Sequence, residues 1–553
     1  MTGLATRAPT PPAFEHPVAE SFTDQLSGFV ALLRLRLRLD RLRLSLWLVA
    51  IVGLVAASTR SVAGLYDTQI ELQQYADLVD GNAALIIQAG PGYGLDDPTL
   101  GSVLMNELSI WTIIAHALMS IFLTVRHTRT EEESERIEVI RSAPIGRHAP
   151  LAATIVHVGI ANLVIVAATA FFVAREGLPV RGSVAFASSA LGAGCLFAAV
   201  ALVVAQIIGT SRGALGISSV VLAMSFVLRA VGDVTFGALS WLSPIGWAQA
   251  IRAFAGERWW VLVLPAVGTA TLTAFAIALQ AHRDIGGGML AQRAGRAEAR
   301  PEFTSSMALA LRLQRSSIIS WTVGLALFGF FYGVVADQAE TLFAENPEMA
   351  EFFEQLGQLS PTDALLSTAV LMLALIGSGF SISSTLRLRS EESAMRADWL
   401  LSTPTSRRTW ALSHLTMATG GTLVIMLATG AATGLGFAVV TGDFGQISRL
   451  IGASFAMTPA MLVLVGVTTV FYGISVRAAP LAWACLAAVL IVGLFASVLN
   501  LPQWVRNISP FEHAPTLPGG SIEVMPLAAL TLLAAALIGL GVLAFERRDI
   551  DAR

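Results

Sequence analysis

Long apolar runs separated by short polar stretches dominate the pattern of this chain. About twelve of them reach the roughly 20 apolar residues that a helix needs to cross a bilayer. A spanning helix also bonds its own backbone groups, which lipid cannot do. We therefore predict an all-α polytopic membrane protein with about twelve transmembrane helices, placed at 44–64, 103–125, 151–173, 184–208, 214–231, 260–280, 318–336, 364–386, 411–440, 451–476, 478–499 and 525–545.

Charged residues alternate between the connections in the way that membrane topology requires. The stretches at 65–100 and 337–363 carry acids and no base, whereas 126–150 and 387–410 are rich in arginine. Cytoplasmic connections collect arginine. We predict that both termini and the two arginine-rich connections are cytoplasmic, in a multi-pass protein of the cell (inner or plasma) membrane.

An internal repeat organises the chain. RTEEESERIEVIRSAPIGR at 129–147 aligns without gaps with RSEESAMRADWLLSTPTSR at 389–407, 260 positions later. Outside this block, Arg41 and Trp47 match Arg315 and Trp321. Matches in the same order along both halves predict two tandem six-helix repeats in the same orientation, because six is even.

These patterns predict five regions along the chain. They are a disordered N-terminal tail (1–21), an interfacial amphipathic helix (22–43), a first six-helix repeat (44–285), a cytoplasmic linker (286–310) and a second six-helix repeat (311–553). In the interfacial helix Arg34, Arg38 and Arg41 share one face and Leu35, Leu39 and Leu42 share another. Such a helix lies in the membrane interface and then turns into the first span.

The two repeated segments, 129–147 and 389–407, are candidates for chemistry. We expect Thr130 and Ser390 to be N-caps and Pro144 and Pro404 to end a helix of about twelve residues. A short charged helix between two spans suits docking of a cytoplasmic partner. The alternative, a solvated loop whose arginines set topology, does not explain why glutamates, serines and prolines recur. We expect charge reversal at Glu132 or Glu392 to weaken docking and to leave folding intact.

Two further features leave alternatives open. The connection 240–260 is rich in Trp and interrupted by Pro and Gly, so it is either a re-entrant piece or an external loop with an aromatic belt. A few polar side chains fall inside the predicted spans, and we expect the histidines among them to be satisfied between helices rather than to relay protons, because no intramembrane Asp or Glu partner is evident for them. These polar residues are His116, His157, Gln206 and His414.

Composition excludes several functions. All 35 basic residues are arginine, and a P-loop needs lysine, so the chain cannot itself be a P-loop ATPase. We find no catalytic constellation, and His127 stands alone in HTRTEEESE, so we predict no enzyme activity, no metal site and no cofactor bound by this chain. The basic runs flank spans, which argues against nucleic-acid binding. Cys195 and Cys485 lie in apolar runs, as buried free thiols do.

RHTRTEEESERIEVIRSAPIGR, the Ser-Pro-Ile-Gly-Trp and Glu-Arg-Trp-Trp stretch, and Arg-Asp-Ile-Gly together resemble type-2 ABC exporter permeases. The likeness is closest to the actinobacterial polyketide-antibiotic (tetronasin-type) exporters, and it covers the chain from about residue 30. It implies that the repeated segments are coupling helices for an ATP-binding subunit. The implied coupling residues are Glu131, Glu132, Arg136, Glu138, Ser142, Pro144 and Arg147, with Glu391, Glu392, Arg396, Asp398, Ser402, Pro404 and Arg407 in the second half.

The resemblance also implies how such a permease is powered. Two copies of a cytoplasmic ABC ATP-binding subunit would carry ATP and magnesium, and the chain would export hydrophobic or amphipathic small molecules from the bilayer. Neither the pattern nor the resemblance assigns a substrate-contacting residue. The competing hypotheses are a twelve-helix secondary transporter driven by an ion gradient and a non-transporting subunit that relays ATPase motion.

Overall fold

The computed structural model describes residues 25–80, 83–134, 136, 138, 142–235, 237–282, 288–289, 305–336, 360–495 and 502–549. Within these ranges the secondary structure is helical and contains no strand, which confirms the all-α membrane fold. The chain divides into two compact units, Met1–Ala294 and Gly295–Arg553. The tail predicted at 1–21 and nearly all of the linker predicted at 286–310 lie outside the described residues.

The first unit consists of long apolar helices joined by short ones. Its α-helices are α1 (Phe29–Leu65), α2 (Gln69–Val79), α3 (Ala83–Ala89), α4 (Leu100–Val125), α5 (Ala149–Arg175), α6 (Val180–Ile207), α7 (Ser211–Val234), α8 (Pro244–Gln249) and α9 (Val263–Ala281). A π-helical turn, Arg126–Thr130, and one further turn, Glu131–Glu133, extend α4.

The second unit has a similar order of long helices. They are α10 (Ser306–Ala336), α11 (Pro361–Thr385), α12 (Arg387–Ser393), α13 (Arg396–Leu401), α14 (Arg407–Thr441), α15 (Gly445–Ala456), α16 (Thr458–Ile474), α17 (Leu481–Phe495), α18 (Gln503–Arg506) and α19 (Val524–Arg547).

Eleven helical stretches of the described chain are long and apolar enough to cross a membrane. They agree with the predicted spans except at 478–499, where the described helix is α17, of 15 residues. At 1.5 Å per residue α17 covers only about 22 Å, less than the roughly 30 Å of a hydrocarbon core. Residues 496–501, which follow α17, lie outside the described residues.

The predicted turn between an interfacial helix and the first span is not present. α1 runs unbroken for 37 residues, so the arginine-rich part and the apolar part form one helix. Arg34, Arg38 and Arg41, which share one face as predicted, are exposed, but Arg36 and Asp40 face inward and are buried. Contacts with α4 and α5 hold this face, which explains why the helix continues without a break.

Glycines allow the closest helix packing in the second unit. A Cβ built on Gly333 of α10 would lie 2.0 Å from the carbonyl oxygen of Thr433 in α14. On the facing helix, a Cβ on Gly436 would lie 2.1 Å from the carbonyl oxygen of Phe330. The two backbones therefore approach closely, as they do where small residues line helix interfaces in membranes.

The connection 240–260 is built from short helical pieces. A 3₁₀ turn (Ser240–Leu242) leads into α8, whose N-cap Ser243 accepts the backbone N–H groups of Ile245 and Gly246 at 3.2 and 3.3 Å. Ile245 is buried among α4, α6 and α7 residues, so this part of the connection is packed into the unit. The rings of Trp241 and Trp260 stack at 5.9 Å.

Candidate functional site

The first repeated segment begins as an extension of a membrane helix. α4 passes through the π-helical turn into Glu131–Glu133, so no new helix starts at Thr130. Thr130 has helical backbone angles and its side chain caps nothing, and Ser390 lies inside α12. The predicted N-caps are therefore wrong, because a cap needs a helix end and the chain has none at these positions.

The helix of the second repeated segment is also shorter than predicted. α12 ends at Ser393, Met395 adopts a left-handed backbone (φ 53°), and α13 covers only Arg396–Leu401. The twelve-residue helix ending at Pro404 is wrong here. In the first repeated segment, residues 135, 137 and 139–141 lie outside the described residues, so the predicted helix length stays a prediction there.

Glu131 and Glu132 are held inside the first unit. Glu131 Oε2 accepts Arg36 Nη2 at 2.8 Å, and Oε1 lies 2.7 Å from His127 Nδ1. Glu132 Oε2 accepts Arg129 Nη1 at 2.8 Å. The two glutamate side chains are only 14% and 13% exposed. Both carboxylates therefore brace the start of the segment.

Arg36 connects Glu131, at the start of the first repeated segment, to the neighbouring helix α5. Its Nη1 donates to the carbonyl of Pro150 and the hydroxyl of Thr154, both at 2.7 Å, and its Nη2 also donates to the carbonyl of His127 at 3.1 Å. A buried guanidinium needs several acceptors, and here it has four. Arg36 was not predicted as a site residue. One signal in the sequence could have identified it. Arg36 lies four positions before Asp40, so both share the helix face opposite the exposed arginines.

Glu391 and Glu392 are buried more deeply. Glu391 binds Arg387 and Arg396, each at 2.7 Å. Hydrogen bonding to Glu391 raises the pKa of Arg396 above its usual value, so this arginine stays charged. Glu392 binds Arg548 at 2.7 Å and accepts the hydroxyl of Tyr472.

The repeated arginines fasten each segment to helix ends of its own unit. Arg129 and Arg389 donate to carbonyls at or just beyond the end of the fourth long stretch, and Arg147 and Arg407 donate to carbonyls at the end of the last one. The acceptors are Ala205 for Arg129, Val476 at 2.9 Å for Arg389, Ala281 at 2.9 Å for Arg147, and Arg548 at 2.7 Å for Arg407.

The remaining predicted residues are exposed. They are Arg136, Glu138, Ser142 and Pro144 in the first segment and Asp398, Ser402 and Pro404 in the second, while Arg396 is exposed apart from its contact with Glu391. Two residues that were not predicted accompany them: Met395 is 59% exposed and Trp399 is 82% exposed. A large apolar side chain standing in a polar segment was the signal that could have found them.

The polar groups inside the spans only partly follow the prediction. His414 Nδ1 lies 3.2 Å from Gln314 Nε2 of another helix, as expected for a histidine satisfied between helices. His116 Nδ1 instead lies 2.9 Å from the carbonyl of Thr112 in its own helix, and its Nε2 has no hydrogen-bond partner. His157 is fully buried and neither ring nitrogen has a hydrogen-bond partner. The expected absence of a nearby acid is also wrong, because Asp40 Oδ2 lies 3.3 Å from His157 Nε2.

Together these features define a multi-pass membrane protein of two helical units, each carrying a segment braced by buried ion pairs. Comparison with known proteins gives the family. Residues 303–546 match the family model described as "Multidrug efflux system permease Rv1217c, C-terminal domain". The chain is 36% identical over 528 residues to the "Multidrug efflux system permease protein Rv1217c" of Mycobacterium tuberculosis (strain ATCC 25618 / H37Rv), covering 95% of each chain. The chain belongs to this family of multidrug efflux permeases. Neither match names the tetronasin-type exporters, so that closer likeness stays a prediction.

Proposed function

We propose that the chain is the membrane permease of an ATP-driven ABC exporter that moves hydrophobic or amphipathic, drug-like molecules out of the cell. Two copies of a cytoplasmic ABC ATP-binding subunit, which carry ATP and magnesium, would dock on the two repeated segments. Both termini and both segments face the cytoplasm in this proposal. Membership of the multidrug efflux permease family supports the class of cargo, and the tetronasin-type resemblance adds polyketide antibiotics to the molecules worth testing.

One observation carries the docking hypothesis: buried ion pairs hold the base of the second segment, and large apolar side chains are exposed beyond it. Glu391 and Glu392 fix its base through buried ion pairs, while Met395 and Trp399 project outward. A tryptophan exposed to this degree, outside the spans, suits a protein interface, where tryptophan often dominates the binding energy. Its exposed neighbour Asp398 adds a negative charge that a partner could recognise.

The first segment supports docking in a different way. Its far end pairs with the start of the described chain, because the Gly146 N–H donates to the carbonyl of Ser27 at 3.0 Å and the His148 N–H to that of Gln25 at 3.1 Å. The exposed Pro144 lies two positions before Gly146, beside this backbone contact. We infer that the two docking surfaces differ in chemistry and bind the ATPase copies unequally.

A pull-down with the ATP-binding subunit tests this function. The parent chain should bring down about two ATPase chains and should hydrolyse no ATP by itself. Trp399→Ala should weaken docking by about 2 kcal/mol or more, roughly 30-fold in affinity. Trp504→Ala is the matched control, because Trp504 is 70% exposed and the predicted topology puts it on the opposite side of the membrane.

Efflux from proteoliposomes separates the proposal from its competitors. With ATP and no ion gradient, the complex should export a drug-like dye, and Trp399→Ala should export it more slowly. Efflux that needs a proton gradient and ignores ATP would instead establish a secondary transporter. Docking and ATP hydrolysis without any efflux would favour a relay subunit. Equal docking by Trp399→Ala and Trp504→Ala would remove the second segment from the interface.

A further inference from the structure

Three side chains of the metal-binding types meet inside the first unit. Asp40 of α1, His127 of the π-helical turn and His157 of α5 place one ligand atom each within 4.8 Å of the others. Their side chains are at most 1% exposed. Asp40 Oδ2 is the shared centre, since it contacts His127 Nε2 and lies 3.3 Å from His157 Nε2.

Hydrogen bonding on the far side of His127 fixes its proton. Nδ1 lies 2.7 Å from Glu131 Oε1, and an ionised carboxylate only accepts, so Nδ1 carries hydrogen. In neutral imidazole Nε2 then presents a lone pair, and it faces another lone pair on Asp40 Oδ2. Two acceptors in contact repel each other, so either a proton or a metal cation belongs between them.

His157 decides between these two occupants. Both of its ring nitrogens are buried without a hydrogen-bond partner, and an orphaned buried polar group calls for a missing one. A proton on His127 would leave His157 Nε2 at 3.3 Å from Asp40 Oδ2, without a well-aligned hydrogen bond. A cation bound by Asp40 Oδ2, His127 Nε2 and His157 Nε2 gives each of these three atoms a partner, whereas His157 Nδ1 has none with either occupant.

The surrounding charges leave one oxygen of Asp40 available. Its Oδ1 accepts Arg126 Nε at 3.0 Å and Arg43 Nη1 at 3.2 Å, which leaves Oδ2 for the cation. Arg36 offsets the charge of Glu131, so the carboxylate that orients His127 is itself held in place. A carboxylate on the outer nitrogen of a histidine is the usual support of a metal-binding imidazole.

We propose that Asp40, His127 and His157 bind one Zn²⁺ ion. Two imidazole nitrogens and one carboxylate suit zinc, and three protein ligands leave one position for water. The ion would join α1, α4 and α5 directly ahead of the first repeated segment. This role is separate from ATPase docking, and either proposal can fail without the other.

The second unit offers an internal comparison. At the matched positions Gln314 stands for Asp40, by the offset that pairs Arg41 with Arg315, and Arg387 stands for His127. There Gln314 Nε2 lies 3.2 Å from His414 Nδ1, and Gln314 Oε1 accepts Ser384, so hydrogen bonds of the side-chain amide close the space around Gln314. We therefore expect one zinc ion for each chain.

Metal content of the full chain, purified in detergent and freed of loosely bound ions, tests the site. The parent should retain about one Zn²⁺, whereas Asp40→Asn and His157→Leu should each retain less than a tenth of that. His414→Leu is the matched control and should keep the parent content. Glu131→Gln should weaken zinc binding roughly 10- to 100-fold, because it loosens the support of His127.

A second measurement separates the loss of zinc binding from poor folding of a variant. Added Zn²⁺ should raise the SDS concentration that unfolds the parent and leave His157→Leu unchanged, and Co²⁺ should give the parent a visible absorption spectrum that Zn²⁺ abolishes. A parent without zinc and without a cobalt spectrum would overturn the proposal and leave a proton as the occupant. Equal zinc in the parent, Asp40→Asn and His157→Leu would overturn it too, since the metal would then be adventitious.

Discussion

Removing the carboxylate of Glu392 should destabilise the second unit. Both of its oxygens accept Arg548 Nη2, at 2.9 and 2.7 Å, and Oε2 also accepts the Tyr472 hydroxyl. The guanidinium of Arg548 lies over the Tyr472 ring at 5.2 Å. Glu392→Ala would leave a guanidinium and a phenol facing an apolar gap.

The expected loss of stability in Glu392→Ala follows from the burial of the Glu392–Arg548 ion pair. The side chain of Glu392 is 2% exposed and that of Arg548 is 13% exposed, so the pair is buried but water reaches its edge. Loss of one partner of a buried pair costs about 3–5 kcal/mol. Because the surviving arginine keeps some solvent contact, we expect a value near the lower bound, about 3 kcal/mol, or roughly 150-fold in the unfolding equilibrium.

SDS titration of the purified chain in mixed micelles, followed by tryptophan fluorescence, measures this loss. Asp398→Ala is the matched control, because it removes an exposed acid six positions later and should change stability by no more than about 0.5 kcal/mol. This expectation replaces the one drawn from the sequence, in which charge reversal at Glu392 spares folding. Equal SDS midpoints for the parent and Glu392→Ala would show that the Glu392–Arg548 ion pair does not stabilise the second unit.

The remaining predictions concern packing and topology. Gly333→Ala should lower the SDS midpoint, since its Cβ would meet the Thr433 carbonyl oxygen, whereas Gly324→Ala meets nothing within 4 Å and should stabilise α10 by up to about 1 kcal/mol. A cysteine at Ser402, in a variant without native cysteines, should resist impermeant reagents on intact cells, and a cysteine at Asn507 should react. The reverse labelling would overturn the proposed orientation.

Hydropathy predicted the long helices well because burial in lipid leaves a strong, local signal. The predicted span at 411–440, for example, lies within α14, Arg407–Thr441. Helix ends near the repeated segments could not be predicted in the same way. Thr130 resembles a cap in sequence, but tertiary contacts of Arg36 with the His127 carbonyl and Glu131 support a helix that continues past it.

The sequence did not reveal that the repeated charges pair inside the protein. Conserved spacing between the halves indicated docking residues, yet Glu131 and Glu391 contact side chains four positions earlier, His127 and Arg387, within their own helices. Sequence cannot distinguish a charged side chain that faces a partner from one that pairs inside the protein, because the residue type and its position are the same in both cases. Only burial separates them, and it points to Trp399 as the residue to test for docking.

The two units brace equivalent segments with different chemistry, and this difference bears on how they respond to the cell. Around Asp40 the first unit gathers histidines and carboxylates, which bind protons or metal ions. Around Gln314 the second unit joins a side-chain amide to Ser384 and to one histidine, His414, and Gln314 offers no carboxylate for a metal ion. A change in available metal should therefore act on the base of the first segment and leave the second unaffected. If both segments carry an ATPase copy, only one of the two docking sites would be sensitive to that change.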